Sequence, residues 1–177
     1  MGKVCVVGLG YIGLPTAAML ASRGHEVIGC DISPLIVDLV NTGQSYFREP
    51  DLDMLLSAAV QTLRLRAQTT PAEAKFFIIA VPTPFRDGHK PDMSHVEAAA
   101  HAIAPLLRPG DTIILEGTSP VGTTELLASL IKAARPELTT PTHGAPAPDG
   151  CIHFVHCPER ILSGTTKDCA RRAPGLY

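Results

Sequence analysis

The sequence predicts an α/β protein with a doubly wound parallel sheet of about six strands and helices on both of its faces. Short apolar runs without polar alternation, such as residues 3–7 and 76–81, are typical of strands that are buried on both sides. Segments with helical signals separate these runs along the chain, as the crossover connections between parallel strands require. A glycine-rich turn also joins the first run to the first helical segment.

Three strands are predicted in the first part of the chain, at residues 3–7, 26–30 and 63–66. The helix after the glycine turn is expected to run to about residue 23, because Gly24 suits a C-cap and Pro15 falls in the first turn. Ser33 and Pro34 have the pattern of an N-cap followed by proline at the first helical position. That helix is expected to end near residue 40, and a shorter one should follow at about 51–59.

The second part of the chain continues the alternation of strands and helices. The spacing from Thr70 to Glu73 is that of a capping box, so a brief helical turn is expected before the strand at 76–81. The same spacing from Ser94 to Glu97 predicts a helix that runs to about residue 107. The remaining expected elements are a loop at 82–91, a strand at 112–115, a helix at 122–134, a proline-rich loop at 135–150 and a strand at 152–156.

The composition is that of a single globular domain. The length of 177 residues suits one domain and is too short for two of ordinary size. A net charge of −2 gives no electrostatic reason to expect a nucleic-acid or acidic-membrane partner. The start of the chain does not resemble a signal peptide, and no apolar run approaches the roughly 20 residues of a membrane span. We therefore expect a cytoplasmic protein that binds neither nucleic acid nor membrane.

The five cysteines are expected to be free thiols, and no metal site is predicted. Their number is odd and none form a CxxC pair, which disfavours a disulfide framework. Cys5 and Cys30 lie in apolar runs, where cysteine behaves as a small buried hydrophobe. The segment CIHFVHC at 151–157 contains four possible ligands. A straight strand does not bring such ligands together as the turns of zinc sites do.

A glycine motif, GLGYIG at residues 8–13, lies between the first strand and the first helix. A lone motif of this form is a weak signal, but here a buried strand precedes it and a helix follows it. Gly8 allows the tight turn, Gly10 lets the backbone approach a pyrophosphate, and Gly13 permits close packing of helix on strand. The helix N-terminus then presents N–H groups and a positive partial charge to the phosphates. These features predict a Rossmann-type dinucleotide site.

Asp31 ends the second strand, 18 residues after Gly13. A carboxylate there can accept hydrogen bonds from both hydroxyls of an adenosine ribose and would repel a 2′-phosphate, so we predict NAD rather than NADP. An ordinary βαβ turn with a solvated aspartate is the alternative interpretation. The predicted cofactor-binding residues in this part of the chain are Gly8, Gly10, Tyr11, Ile12, Gly13 and Asp31.

Three later loops also follow the carboxyl ends of predicted strands, where ligands bind in open parallel sheets. Their sequences are AVPTPF at 80–85, EGTSPVGTT at 116–124 and CPER at 157–160. The hydroxyls of Thr83 and Thr118 could contact the nicotinamide ribose or a reacting oxygen, and Glu159 could act as a general base. Each feature also has an ordinary explanation, because Thr-Pro and Ser-Pro are common in turns and caps. Spacing alone leaves both interpretations open.

The segments VGLGYIGLPTA, AVPTPF, EGTSPVGTT and CPERIL occur in this order along the chain. On these motifs the chain resembles the N-terminal domain of the UDP-glucose/GDP-mannose dehydrogenase family, over about residues 2–164. The PTPF and HCPER segments are most similar to the UDP-N-acetyl-mannosamine dehydrogenase branch. Four ordered motifs are far more specific than one glycine turn.

The resemblance implies an NAD-dependent oxidoreductase that oxidises the C6 alcohol of a UDP-sugar to a carboxylate in two steps, as in polysaccharide biosynthesis. It implies that Thr83 and Thr118 line the nicotinamide side of the site, with Thr118 near the reacting carbon. It also implies that Glu159 assists water in hydrolysing a thioester intermediate. Thr118 and Glu159 are thus the predicted catalytic residues, and a homodimer is expected for the complete enzyme.

The chain departs from the family pattern near its end. The family continues the CPER segment with Leu-Pro-Gly, but LSG stands at 162–164, and residues 165–177 match nothing expected. The family's nucleophile is a cysteine in a later domain, whose thiolate captures the aldehyde before the second hydride leaves. We expect 1–164 to be the NAD-binding domain and 165–177 a divergent tail. We also expect the linking helix and the substrate domain to be absent, so that the chain is truncated and inactive alone.

Neither Cys157 nor Cys169 is expected to replace that nucleophile, because a catalytic thiolate needs a particular activating environment. Two other functions stay open at this point. One is a small NAD-binding module without chemistry of its own. The other is a Rossmann dehydrogenase of the 3-hydroxy acid type, which fits the glycine turn and Asp31 but gives no account of the EGTSPVGTT and CPER loops.

Overall fold

The computed structural model describes residues 2–49, 51–86, 90–141 and 146–158, and these contain eight strands and five α-helices. The strands are β1 (Val4–Val7), β2 (Val27–Cys30), β3 (Leu65–Gln68), β4 (Phe76–Ile79), β5 (Phe85–Arg86), β6 (Lys90–Pro91), β7 (Thr112–Glu116) and β8 (His153–Cys157). The helices are α1 (Gly13–Ser22), α2 (Pro34–Asn41), α3 (Leu52–Gln61), α4 (Ser94–Ile103) and α5 (Thr123–Ala134).

Six of the strands form one parallel sheet in the order β3-β2-β1-β4-β7-β8. The chain builds outward from β1 to β3, then returns to the middle of the sheet, where β4 pairs with β1. This reversal leaves a crevice beyond the carboxyl ends of β1 and β4, which is where doubly wound sheets bind ligands. The predicted doubly wound parallel sheet is confirmed.

Helices cover both faces of this sheet. On one face, α1, α2 and α3 contribute residues such as Leu14 and Leu56 to a core that also contains side chains of β1 and β2. On the other face, α4 and α5 contribute residues such as Ile103 and Leu127. All residues of β1 and β2 are therefore buried, which explains why these strands are continuous apolar runs in the sequence.

The helical turn predicted at residues 70–73 is wrong, because these residues connect β3 to β4 without helical structure. A capping box would require the Glu73 carboxylate to turn back to the backbone N–H of Thr70. Glu73 pairs instead with the guanidinium group of Arg108. The N–H of Lys75 then donates to the carbonyl oxygen of Lys3 at 2.9 Å, which aligns the segment with β1.

The region around α4 also differs in detail from expectation. The predicted loop at 82–91 contains the short hairpin β5–β6. Helix α4 begins at Ser94 as predicted, but Asp92 Oδ1 accepts the N–H of Ser94 at 3.0 Å in place of a capping box. The helix ends at Ile103, earlier than expected, and a 3₁₀ turn at Ala104–Leu106 follows. Pro105 in that turn lacks the N–H that a continuing α-helix would use.

Leu9 anchors the turn between β1 and α1 to the sheet. Its side chain is fully buried. It packs so closely on β2 that a Cβ on Gly29 would lie 2.9 Å from both Leu9 Cδ atoms. The backbone N–H of Leu9 donates to Asp31 Oδ2 at 2.9 Å. One residue thus fixes the turn against β2 through both its side chain and its backbone.

Leu9→Ala is expected to lower the free energy of unfolding by about 2–5 kcal/mol, because loss of a buried leucine leaves a cavity between the turn and β2. Denaturant unfolding followed by circular dichroism measures this value. The matched control is Met54→Ala on α3, where the side chain is 66% exposed and a change within about 0.5 kcal/mol is expected. Equal losses in the two variants would contradict the anchoring role of Leu9.

Candidate functional site

A cavity of about 390 Å³ lies beyond the carboxyl ends of β1, β2 and β4, at the reversal of strand order. Its lining is mainly apolar, with polar atoms supplied by the glycine turn and the end of β2. An apolar cleft with a few well-placed polar groups is the usual form of a cofactor pocket. The residues that line it include Gly8, Gly10, Asp31, Tyr46, Val81 and His95.

Two glycines of the turn are required by close contacts within the chain. Gly8 has a φ of +94°, which lies in the left-handed region that favours glycine. A Cβ on Gly8 would also lie 2.7 Å from the carbonyl oxygen of Ala80, just after β4. A Cβ on Gly13, the first residue of α1, would lie 1.9 Å from the carbonyl oxygen of Gly8. The tight turn and the close helix–strand packing predicted for these glycines are both present.

Gly10 differs from these two glycines because no residue that the structure describes crowds it. A Cβ on Gly10 would have only the hydroxyl oxygen of Tyr46 within 4 Å among the described atoms, at 3.9 Å. A bare backbone at this position suits a ligand that approaches closely. Helix α1 begins at Gly13 and has no acidic residue of its own in its first turn, so its N–H groups and positive partial charge are available to an anion at the turn. This geometry fits the pyrophosphate of a dinucleotide.

Asp31 holds the turn together and keeps acceptor capacity for a ribose. Its Oδ2 accepts the N–H of Leu9 at 2.9 Å, and its Oδ1 accepts the N–H of Ser33 at 2.9 Å. An ionised carboxylate offers about four lone-pair sites, so about two are left for the ribose hydroxyls. Because Asp31 also lines the cavity, its position suits the role predicted for it.

The structure brings together Thr83 and Thr118, which lie 35 residues apart in the chain. Thr83 Oγ1 donates a hydrogen bond to the carbonyl oxygen of Thr118 at 2.6 Å. The loops that carry them follow β4 and β7, which are neighbours in the sheet. The second loop also reaches the glycine turn, because a Cβ on Gly117 would lie 3.7 Å from Ile12 Cδ1. Both threonines therefore lie on the opposite side of β1 from Asp31.

Two further polar residues at this edge are not among the predicted site residues. Glu116 ends β7, and its Oε1 accepts a hydrogen bond from Thr16 Oγ1 of α1 at 2.9 Å. His156 of β8 has its Nε2 at 3.3 Å from both Ser119 Oγ and the Gly117 carbonyl oxygen. A charged residue at the end of an apolar run is a signal that could have indicated Glu116. Nothing local indicates His156, whose partners are distant in sequence.

Glu159, the predicted general base, and Arg160 lie outside the described residues, so the role of Glu159 stays a prediction. Cys157, which ends β8, lies at the same edge of the sheet as Thr118. The carbonyl oxygen of Cys157 accepts the N–H of Gly117 at 3.2 Å. The segment that carries Glu159 thus starts beside the loop that carries Thr118.

The buried cysteines are unsuited to nucleophilic chemistry. Burial, with smaller contributions from the charges of Cys5 and Asp31, raises the pKa of Cys30 to about 12. Burial also raises the pKa of Cys5 and of Cys151. Such thiols stay protonated at neutral pH, whereas the thiolate is the nucleophile. Cys5 and Cys30 therefore behave as the small apolar side chains that the sequence predicts.

The described part of the chain also bears on metal binding and on membrane spans. No group of three or more His, Cys, Asp or Glu side chains lies close enough there to hold a metal ion. In the 151–157 segment, Cys151 is buried whereas Cys157 is exposed. None of the helices within the described ranges has the length and apolar character needed to cross a membrane.

The strand order, the three glycines and Asp31 define a dinucleotide-binding domain of the kind found in dehydrogenases. The chain belongs to the UDP-glucose/GDP-mannose dehydrogenase family, and residues 2–173 match the NAD-binding domain of that family. This match confirms the family and the NAD cofactor that the motifs predict. It also favours this family over the 3-hydroxy acid dehydrogenases.

Several relatives with named functions are similar over most of this chain. An NDP-N-acetyl-D-galactosaminuronic acid dehydrogenase of Ralstonia nicotianae is 55% identical over 161 residues, which cover 91% of this chain and 38% of the relative. A UDP-N-acetyl-D-mannosamine dehydrogenase of Escherichia coli K12 is 46% identical, with 98% and 44% covered. The solved UDP-N-acetyl-mannosamine dehydrogenase of Staphylococcus aureus is 38% identical with a TM-score of 0.79, over 92% of this chain and 38% of that one. The chain spans less than half the length of these relatives.

Gly13→Ala and Gly10→Ala are expected to separate folding from cofactor binding. Gly13→Ala should lower the free energy of unfolding by more than about 2 kcal/mol, because its methyl group would overlap the Gly8 carbonyl oxygen. Gly10→Ala should leave the melting temperature close to that of the wild type but weaken NAD+ binding by about tenfold or more. Thermal unfolding and isothermal titration calorimetry measure the two effects. Wild-type NAD+ affinity in Gly10→Ala would exclude a ligand at the Gly10 backbone.

Proposed function

We propose that this chain is the cofactor half of a nucleotide-sugar 6-dehydrogenase that oxidises the C6 alcohol of a UDP-sugar to a carboxylate in two steps. UDP-N-acetyl-mannosamine is the substrate we favour, because dehydrogenases of that name are among the relatives that are similar over most of this chain. The observation that carries the proposal is the 2.6 Å hydrogen bond from Thr83 to the Thr118 carbonyl oxygen. It supports the proposal because it joins the two loops whose threonines are predicted to line the nicotinamide.

Bound NAD+ supplies the hydride acceptor in each oxidation step. The residues of this chain bind and orient the reactants. The turn at 8–13 and Asp31 hold the pyrophosphate and the adenosine ribose. Thr83 donates its hydroxyl to the backbone carbonyl oxygen of Thr118. The side chain of Thr118 is exposed and faces the reacting carbon. Glu159 activates the water that releases the acid product.

The rest of the chemistry is proposed to come from outside the matched region. Because the chain spans 38% and 44% of its relatives' lengths, we propose that the nucleotide-sugar contacts and the nucleophile are provided by the remaining part. That complete enzyme is proposed to be a homodimer. Free thiols at all four described cysteines suit a reducing compartment, so we propose that it acts in the cytoplasm.

Titration calorimetry with NAD+ and NADP+ tests the cofactor role. The wild type should bind NAD+ saturably and NADP+ far more weakly, because Asp31 repels a 2′-phosphate. Asp31→Asn should weaken NAD+ binding by about tenfold, since it removes a charged acceptor and loosens the Leu9 and Ser33 contacts. Asp38→Asn is the matched control, because Asp38 is exposed on α2 and does not line the cavity.

Several outcomes would contradict the proposal. Binding of neither dinucleotide would remove the cofactor role, and equal affinity for NADP+ would remove the role of Asp31 in selectivity. Similar losses in Asp31→Asn and Asp38→Asn would point to net charge instead of a specific contact. NADH formation by this chain alone with UDP-N-acetyl-mannosamine would show that it is more than a cofactor half.

A further inference from the structure

Three aromatic rings connect the glycine turn to the segment between α2 and α3. The ring centroids of Tyr11 and Phe47 lie 4.3 Å apart. The ring of Tyr46 meets Phe47 edge-on at 4.9 Å and lies 6.4 Å from Tyr11. Aromatic pairs in such arrangements stabilise and orient one another. Tyr46 is thus held next to the turn that carries Gly10.

The backbone around Tyr46 is fixed to both neighbouring helices. Gly43 has a φ of +77° and lies so close to α3 that a Cβ there would be 2.8 Å from Ser57 Cα. The N–H of Ser45 donates to Asp53 Oδ1 of α3 at 2.8 Å. The N–H of Gln44 donates to the carbonyl oxygen of Leu39 in α2 at 3.0 Å. These contacts place Tyr46 in a defined position before any ligand binds.

The hydroxyl group of Tyr46 faces the space above Gly10. Its oxygen lies 3.9 Å from the position of a Cβ on Gly10, and Tyr46 lines the cavity together with Gly8 and Asp31. Its hydroxyl makes no hydrogen bond to another residue that the structure describes. Burial first, and then the charges of Asp31 and Tyr11, raise the pKa of Tyr46, so the group keeps its proton and stays a donor.

The cavity offers few other means of neutralising a pyrophosphate. No lysine or arginine is among the described residues that line it. A diphosphate there can be held by backbone N–H groups, by the positive end of α1 and by the lining side chains that carry a donor, which are Tyr46, Thr69 and His95. Hydrogen bonds to charged groups are stronger than those between neutral groups. One additional hydroxyl donor therefore contributes measurably to affinity.

We propose that the Tyr46 hydroxyl donates a hydrogen bond to the pyrophosphate of the bound dinucleotide, from the side opposite the Gly10 backbone. The inference rests on the proposed binding of NAD at this cavity. The 3.9 Å distance runs from the hydroxyl oxygen to the position that a Cβ on Gly10 would occupy, so the hydroxyl lies beside the bare Gly10 backbone. A phosphate oxygen bound at that backbone would lie within reach of the hydroxyl donor. Tyr46 is then a binding residue contributed by a loop that the glycine motif does not include.

Tyr46→Phe tests the proposal because it removes the hydroxyl and keeps the ring in the aromatic cluster. The wild type and the variant are titrated with NAD+, ADP and adenosine by calorimetry, with displacement of NAD+ for the weaker ligands. The variant should bind NAD+ and ADP about tenfold more weakly. Adenosine lacks the diphosphate and should bind both proteins equally. The melting temperatures should agree, because the ring contacts are unchanged.

Unchanged affinity of Tyr46→Phe for ADP would overturn the proposal. An equal loss for adenosine and ADP would also overturn it, because the hydroxyl would then contact the ribose or the base. A wild-type chain that binds none of the three ligands would contradict the proposed function, and the role of Tyr46 with it. If the wild type binds NAD+ and Tyr46→Phe binds it with the same affinity, the role of Tyr46 is contradicted but the proposed function is not.

Discussion

The cofactor edge of this domain depends on the contact between the start of α1 and the turn that precedes it. A Cβ on Gly13 would lie 1.9 Å from the Gly8 carbonyl oxygen. The helix can therefore pack this closely on the turn only because residue 13 is glycine and has no Cβ. Gly8 in turn contacts the backbone of Ala80 at the end of β4. The helix, the turn and the strand at the reversal of sheet order therefore share one packed centre. A side chain at either glycine would move α1 away from the sheet and open the cleft.

Asp31 connects this centre to β2. Its two oxygens accept backbone N–H groups from Leu9, in the turn, and from Ser33, at the start of α2. The carboxylate is thus oriented before a ribose arrives, and groups that are already ordered lower the entropic cost of binding. The structural and ligand-binding roles are compatible because a carboxylate accepts more hydrogen bonds than the two used within the chain. Leu9 supports the same arrangement through its buried side chain.

The sequence predicts the sheet and the glycine turn well because their determinants are local. Buried parallel strands need apolar runs, and the glycine turn needs residues without a Cβ at fixed offsets. The failed prediction at Thr70–Glu73 has a distant cause, because the partner of Glu73 is Arg108, 35 residues away. The contact of Tyr46 with the turn depends in the same way on how α3 packs against the α2–α3 segment. No spacing within the sequence reports such contacts.

The two sides of the cofactor site also differ in how they are held. On the adenosine side, Leu9 and Asp31 are 22 residues apart, and they follow β1 and β2, which are inner strands of the sheet. On the nicotinamide side, the Gly117 N–H and carbonyl groups depend on Cys157 and His156 of β8, at the edge of the sheet. Val121 in the same loop is fully exposed.

Segments with few buried contacts open at a lower free-energy cost than the core of a domain. Separation of β8 from β7 would remove the partners of Gly117 while the glycine turn, Leu9 and Asp31 kept theirs. In the proposed site, the adenosine side therefore provides a fixed reference for the cofactor, and the position of the nicotinamide side depends on the integrity of the β7–β8 edge. Because Thr83 is bonded to the backbone of Thr118, a shift of that edge would be transmitted to the loop after β4 as well.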